Sequence, residues 1–273
     1  MNNILIHPSY FPSISHFVAI SQCDLVTFEM DDNFQKQTNR NRMYIYSPNG
    51  IQLLNIPVKH SKTAHQKTKE IKIENDFDWQ KQHFKSLEAA YRSSPFFEYF
   101  EDDIASIFQK KHTFLMDLNL ETMAIVSKCL GLEFDYNETT EYFHEVKNKT
   151  DFRPLINGKK DTAVFEPYTQ VFDEKHGYLN NLSILDLLFN EGRYALDYLK
   201  KQIKEGENHL DAQVYAHYAR LRTADIQTLV IDDKWLAQLS GTIDSELDRV
   251  SQTLTGRIRQ KIPRFTVYPS SHY

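Results

Sequence analysis

The chain has 273 residues, 41% hydrophobic and 13% aromatic, with a formal net charge of −5. That length allows one large domain or two small ones with a substantial core, and the acidic balance speaks against wholesale nucleic-acid binding while leaving room for a local basic site. Two cysteines, Cys23 and Cys129, with no CxxC, exclude a disulfide framework and a zinc site of the usual spacing.

The opening MNNILIHPSYFP lacks a basic flank and meets Pro8 after a short apolar run, so it does not read as a signal peptide. No apolar run approaches the roughly 18 residues of a membrane helix, and the default expectation is a cytoplasmic protein. Asn3–His7 reads as a short buried strand ended by Pro8. Pro8 and Pro12 frame a rigid loop, and a helix follows with Ser13 or Ser15 as N-cap and Phe17, Val18 and Ile20 turned inward. Leu25–Glu29 is a second strand. Strand, loop, helix and strand within about thirty residues open a βαβ unit, whose ligand crevice lies beyond the carboxyl ends of the strands. His7, Tyr10 and His16 fall near that crevice.

Next comes DDNFQKQTNRNRMYIY, residues 31–46, a dense polar run feeding a strand. Met43–Tyr46 and Ile51–Val58 form a hairpin through SPNG, where Pro48 presets φ and Gly50 tolerates a positive one. His60–Lys69 is polar and basic, a loop or a lid, and Ile71–Ile73 a brief strand. From Asp76 the period turns helical, with Trp79, His83, Phe84, Leu87, Ala90 and Tyr91 on one face. Ser94 and Pro95 start another helix. A third, about Asp117–Leu130, stops at Gly131. Phe134–Val146 has strand character. Asn181–Gly192 is a helix with a capping-box-like start at Ser183 and Asp186, and Tyr194–Lys204 is a further one. Beyond it, Trp235, Leu239, Ile243, Leu247, Val250, Leu254 and Ile258 make a narrow apolar stripe, suited to packing on the body or on a second copy of the chain as a homodimer. Residues 1–199 carry 21 basic against 28 acidic side chains, and residues 200–273 carry 11 against 9. The expectation is an α/β domain over 1–204, Rossmann-like in its strand–helix–strand N-terminal half and mainly helical after it, with a helical extension over 205–273.

Arg40 and Arg42, one residue apart on an extended segment, would point the same way and make a fork of guanidinium groups for phosphate or carboxylate. Lys36 adds a point charge, Asn41 and Gln35 add amides. The competing reading is a solvated edge with weak Arg–Asp pairs to Asp31 or Asp32. Those adjacent carboxylates could instead hold magnesium on a phosphorylated substrate. His16 and His83 are candidate proton carriers near neutral pH, His16 weighed against a simple hydrogen bond to the loop backbone and His83 against a satisfied core histidine, and Tyr10 could stack on a ligand ring or cover the core. Cys23 and Cys129 sit on apolar faces and look inert. No GxGxxG, P-loop, GxSxG, HExxH or EF-hand pattern occurs.

Six blocks carry a resemblance: HPSYFPSISHF (7–17), DDNFQKQTNRNRMYI (31–45), WQKQHFKSLEAAYRSSPFFEYF (79–100), FLMDLN (114–119), YTQVF (168–172) and NLSILDLLFNEG (181–192). In that order, across residues 4–199, they resemble the WbqC-like proteins of bacteria, most closely the branch common in Bacteroidetes. The chain departs from many members in His7-Pro8, where they carry Gln-Pro, and in lacking Trp and Gly within Ser13–Ser15. The resemblance implies an association with surface-glycan gene clusters, including O-antigen sugar modification. The expected function is an enzyme, such as a transferase, taking a phosphate-bearing nucleotide-sugar or activated acyl donor. Arg40, Arg42 and Lys36 would then hold phosphate, Asn41, Gln35 and Asp32 would line the substrate, and His16 or His83 would move a proton. The alternatives are a non-catalytic binding or scaffold protein that assembles through its C-terminal helices, and a nucleotidyltransferase-like activity. The last lacks the first His and the Gly of an HxGH motif. The resemblance leaves any cofactor unknown.

Overall fold

The computed structural model describes residues 3–59, 65–146 and 148–202, all within the compact unit Met1–Glu207. The expected extension over 205–273 and its apolar stripe lie outside the described residues.

Aliphatic residues build the first pair of strands. β1 (Asn3–Ile6) and β2 (Leu25–Phe28) run parallel, with Ile4 opposite Val26 and Ile6 opposite Phe28. The crossover between them is α1 (Ile14–Ile20), so the expected βαβ opening is present. Two short strands extend the sheet. β5 (Asp135–Glu138) adds beside β2 and β6 (Thr150–Asp151) beside β1, both parallel, giving the order β5-β2-β1-β6.

The two faces of this sheet differ. Ile4, Ile6, Val26 and Phe28 bury themselves against Ala19, Ile20 and Met123. Leu5, Thr27 and Asn137 face a cavity of about 750 Å³ roofed by the segment that follows β5. Lys149 Nζ donates to Thr27 Oγ1 at 2.8 Å across it. The fold is thus mixed α/β with a parallel sheet.

The hairpin forms a second, separate sheet: β3 (Arg42–Ser47) and β4 (Gly50–Asn55), antiparallel, with Ser47 opposite Gly50. Pro48 and Asn49 make the turn and Gly50 adopts φ 94°, the conformation its lack of a Cβ permits. Helices then pack around β3: α2 (Trp79–Tyr91), α3 (Phe97–Gln109), α4 (Leu115–Leu130), a short α5 (Asp173–His176), α6 (Ile184–Glu191) and α7 (Ala195–Lys201). The apolar stripes of all but α5, which buries no residue, share the main core with Tyr10, Phe11, Ile14 and Phe17. Each fully buried Leu or Ile there is worth about 1.5–3 kcal/mol relative to exposure.

Several expectations shift. Ser94 does not cap the helix after it; its hydroxyl donates back to the Tyr91 carbonyl at 2.7 Å, and α3 begins later, with Phe96 as N-cap. Of Phe134–Val146 only Asp135–Glu138 is strand, because its side chains are exposed and parallel pairing to β2 alone orders it. Ser183 does cap α6, accepting from Leu185 N, but Asp186 completes no capping box. It turns inward, where Tyr91 and Tyr168 hydroxyls and Gln170 Nε2 donate to it. Gly192, φ 55°, ends α6 by leaving the helical conformation, and the position takes no side chain because a Cβ there would lie 2.5 Å from the Phe96 ring.

Asp186 is fully buried, and burial pushes its pKa above the usual carboxylate value although the three donors pull it down. A raised folded pKa means that its stabilising contribution is complete below the ordinary carboxylate pKa and declines as pH rises through the folded one. Asp186→Asn puts an amide donor against groups that all donate, and one of them loses its acceptor. Urea denaturation is expected to show a loss of about 1–3 kcal/mol at neutral pH, with the gap to the unmodified chain widening toward pH 4.

Candidate functional site

The polar run 31–42 leaves the carboxyl end of β2 and is held in an irregular but fully specified path. Thr68 N donates to Asp32 O at 3.0 Å and Phe34 N to Gln66 O at 2.9 Å. Gln37 takes φ 63° at the turn. Asn39 N then reaches Ile156 O at 2.8 Å, while Asn39 O accepts from Tyr10 N at 3.2 Å. Asn119 Nδ2 donates to Arg40 O at 2.8 Å and to Pro8 O at 3.3 Å, tying the loop after β1 to the end of the run.

Arg40 is among the largest fully buried side chains of the described residues, 1% exposed. Its Nε donates to Asp32 Oδ2 at 3.1 Å, and Nη2 reaches the same oxygen. Nη1 donates to Thr38 Oγ1 at 3.1 Å and Nη2 to His7 Nε2 at 3.2 Å. Burial, and then the Arg40 charge, hold the His7 pKa well below its usual value, so the ring is a neutral acceptor. Asp32 Oδ1 stays buried without a hydrogen-bond partner among the described residues. Beside it, Arg153 joins Glu29 at 3.3 Å and Asp151 at 2.7 Å, bracing the ends of β2 and β6.

The expected fork of two guanidinium groups does not form. Arg40 turns inward to Asp32, whereas Arg42, half-buried, donates its Nε to Asn55 Oδ1 at 3.2 Å on the opposite strand. The turn between Thr38 and β3 sends the two side chains to different neighbours. The adjacent carboxylates are also divided: Asp31 is taken by Lys67 at 2.9 Å and by Lys69, and Asp32 by Arg40, so together they present no magnesium site.

The sequence-predicted residues therefore separate into three places. Asp32, Gln35 and Arg40 line a cavity of about 260 Å³ at the strand ends, together with His7, Lys67 and His144. Lys36, Asn41 and Arg42 line another of about 500 Å³, with Lys59, His65 and Asn55. Tyr10, His16 and His83 line neither. Tyr10 is fully buried between Phe11 and Trp79, its hydroxyl 2.9 Å from His83 Nδ1. It is thus a core residue and not a cover for a ligand ring. Burial lowers the pKa of both His16 and His83 to about 4. Both are neutral at physiological pH and shut off from these cavities.

The basic cavity has a distinctive lining. None of its described lining residues is acidic. Lys36 and Arg42 have no carboxylate within ion-pair distance among the described residues, and Lys59 only Glu74 at 3.9 Å. Sequence reasoning missed Lys59 and His65, which belong to a stretch without period. It also missed Glu29 and Arg153, whose pairing depends on a two-residue strand. Cys23 and Cys129 are half-buried, and burial pushes both thiols up to about 11, leaving them unreactive. Among the described residues no helix is long and apolar enough to cross a membrane.

A parallel α/β sheet with polar cavities at its strand ends and along an appended hairpin is the class to which these features belong. The chain is a member of the WbqC-like protein family, which it matches over residues 7–161. It is similar to "Uncharacterized protein Rv1507c" of Mycobacterium tuberculosis, 28% identical over 223 residues that span 72% of this chain and 96% of that protein. Short stretches are similar to UvrABC system protein B: 69% identity over 32 residues in Burkholderia mallei, 5% of that protein, and 40% over 65 residues in Bordetella pertussis, 10% of that one. Spans so small carry nothing about activity. No solved structure matches the chain.

Arg40→Ala leaves the Asp32 carboxylate buried and unpaired, which costs about 3–5 kcal/mol. Arg40→Lys keeps the charge but cannot serve Asp32, Thr38 and His7 together, so it restores only part of that loss. Guanidinium denaturation midpoints of the two variants check both; an Arg40→Ala protein as stable as the parent would refute the clamp.

Proposed function

We propose that the chain is an enzyme of bacterial cell-surface glycan biosynthesis that takes a phosphate-bearing donor, a nucleotide-sugar or an activated acyl group carried on a nucleotide. The observation that supports this is the cavity of about 500 Å³ whose charged described lining is Lys36, Arg42 and Lys59, with the amides of Asn41 and Asn55 beside them. Cations with no strong carboxylate partner, gathered around a concave space without carboxylates, favour a multivalent anion, and a guanidinium suits a phosphate in particular. Arg40 has the complementary role of holding the run in place, so that Arg42 and Lys36 are presented from a fixed backbone.

A second reading is a binding protein without turnover. It draws support from the burial of His16 and His83, which removes the expected proton carriers from the basic cavity.

Thermal-shift screening against nucleoside diphosphates, nucleotide-sugars and acyl-coenzyme A, with and without magnesium, tests the proposal, since saturating a site at a hundred times Kd stabilises by about 2.7 kcal/mol. In calorimetry, Arg42→Ala is expected to weaken the best ligand at least tenfold, about 1.4 kcal/mol. Lys36→Glu should weaken it further, and raising salt should weaken the parent. Unchanged affinity in Arg42→Ala removes the assignment. Tight binding without conversion of the donor selects the second reading.

A further inference from the structure

Arg42 lines a second cavity as well, of about 310 Å³, to which Lys36 does not contribute. Its composition is different. Tyr44, two residues along β3 and so on the strand face of Arg42, forms part of the wall. Ser13, Asn39, Asp161 and Asn181 supply hydroxyl, amide and carboxylate groups, and Lys159 a cation whose charge Asp161 offsets. Gly158 belongs there too, because a Cβ at that position would press to 3.1 Å on the Asn39 amide.

A chain of hydrogen bonds fixes what this wall offers. His16 Nδ1 lies 3.1 Å from Ser13 Oγ, which lies 3.0 Å from Ser15 Oγ, and Ser15 donates to Asp161 Oδ2. Each hydroxyl has a single hydrogen to give. The Ser15 hydrogen goes to the carboxylate, so Ser13 gives its own to Ser15, and His16 must give Nδ1–H to Ser13. All donation therefore runs outward to Asp161. Asn181 Nδ2 at 2.7 Å and Ala163 N at 3.2 Å also donate to it. Asp161 is surrounded by donors, held in one orientation, half-buried and at the cavity wall. A carboxylate has about four acceptor sites and these bonds use three, leaving one for a ligand hydroxyl.

We propose that this second cavity is the subsite for the uncharged, hydroxyl-bearing sugar of the nucleotide-sugar whose phosphates Arg42 holds, with Asp161 accepting a sugar hydroxyl and Tyr44 covering the ring. The inference rests on the phosphate reading of the Arg42 cavity and extends it. One guanidinium common to a cavity without carboxylates and to one where Asp161 offsets Lys159 among hydroxyl and amide groups suits a ligand with a charged half and a polyhydroxyl half. It also gives Asp161, Ser13 and Ser15 a joint role: the serines position the carboxylate that touches the sugar.

Calorimetry with the full chain tests it, using uridine, thymidine, guanosine and cytidine diphosphates and their hexose conjugates as probes. For the favoured base, the hexose conjugate should bind at least tenfold tighter than the diphosphate alone. Asp161→Asn and, separately, Tyr44→Leu should bring the two affinities within about twofold of each other while leaving that for the diphosphate unchanged. Tyr44→Leu is the safer variant, since its side chain takes no part in the Asp161 network. Diphosphate binding with no gain from the hexose in the parent overturns the subsite. Equal loss of diphosphate affinity in both variants also overturns it, by placing the base there instead. Failure of every diphosphate to bind strikes the phosphate reading itself.

Discussion

The interaction on which the rest depends is the buried contact between Arg40 and Asp32. A guanidinium taken out of water survives only if its charge is matched and its donors are used. Here one carboxylate oxygen, a threonine hydroxyl and a neutral histidine ring answer them. The same residue's carbonyl is held by Asn119 of α4. The polar run is thus pinned at both ends, to the strand β2 that it leaves and to the helical layer beneath β3. Its backbone cannot move without exposing a charge pair to imperfect pairing.

From that constraint follows the division of labour along one short segment. The inward-facing members, Asp32, Thr38 and Arg40, make the loop rigid. The outward-facing ones, Lys36 and Arg42, are left to line a cavity, with the buried Asn41 at its wall. Residues that looked equivalent in the sequence serve opposite ends. A rigid inner row presenting a polar outer row is the general way a loop achieves the precision of a helix or strand.

The βαβ opening, the hairpin turn at Pro48–Gly50, the inward face of α2 and the stop at Gly131 could all be read from the chain, because each depends on neighbours within a few residues. The burial of Arg40 could not. Its partner lies eight positions away in an irregular loop, and a charge run in isolation looks solvated. The same limit hid the chain from His16 to Asp161, whose acceptor is 146 residues from Ser15. β5 escaped definition for another reason: its side chains are exposed, so it has no apolar pattern and exists only by pairing. Of the two readings open for each histidine, burial favours the non-catalytic one: His83 packs on Tyr10 and Trp79, and His16 is fully buried with Nδ1 on Ser13.

The family match over this chain stops at residue 161, yet the architecture does not. Tyr168, Gln170 and Asp186 close around the Tyr91 hydroxyl, and Ile184, Leu187, Leu188 and Phe189 fill the centre of the helical layer. A fragment trimmed at the limit of the family match would open the interior of that layer to water and strip α2 of its carboxylate anchor. The end of the family match is therefore not a seam along which this molecule can be divided.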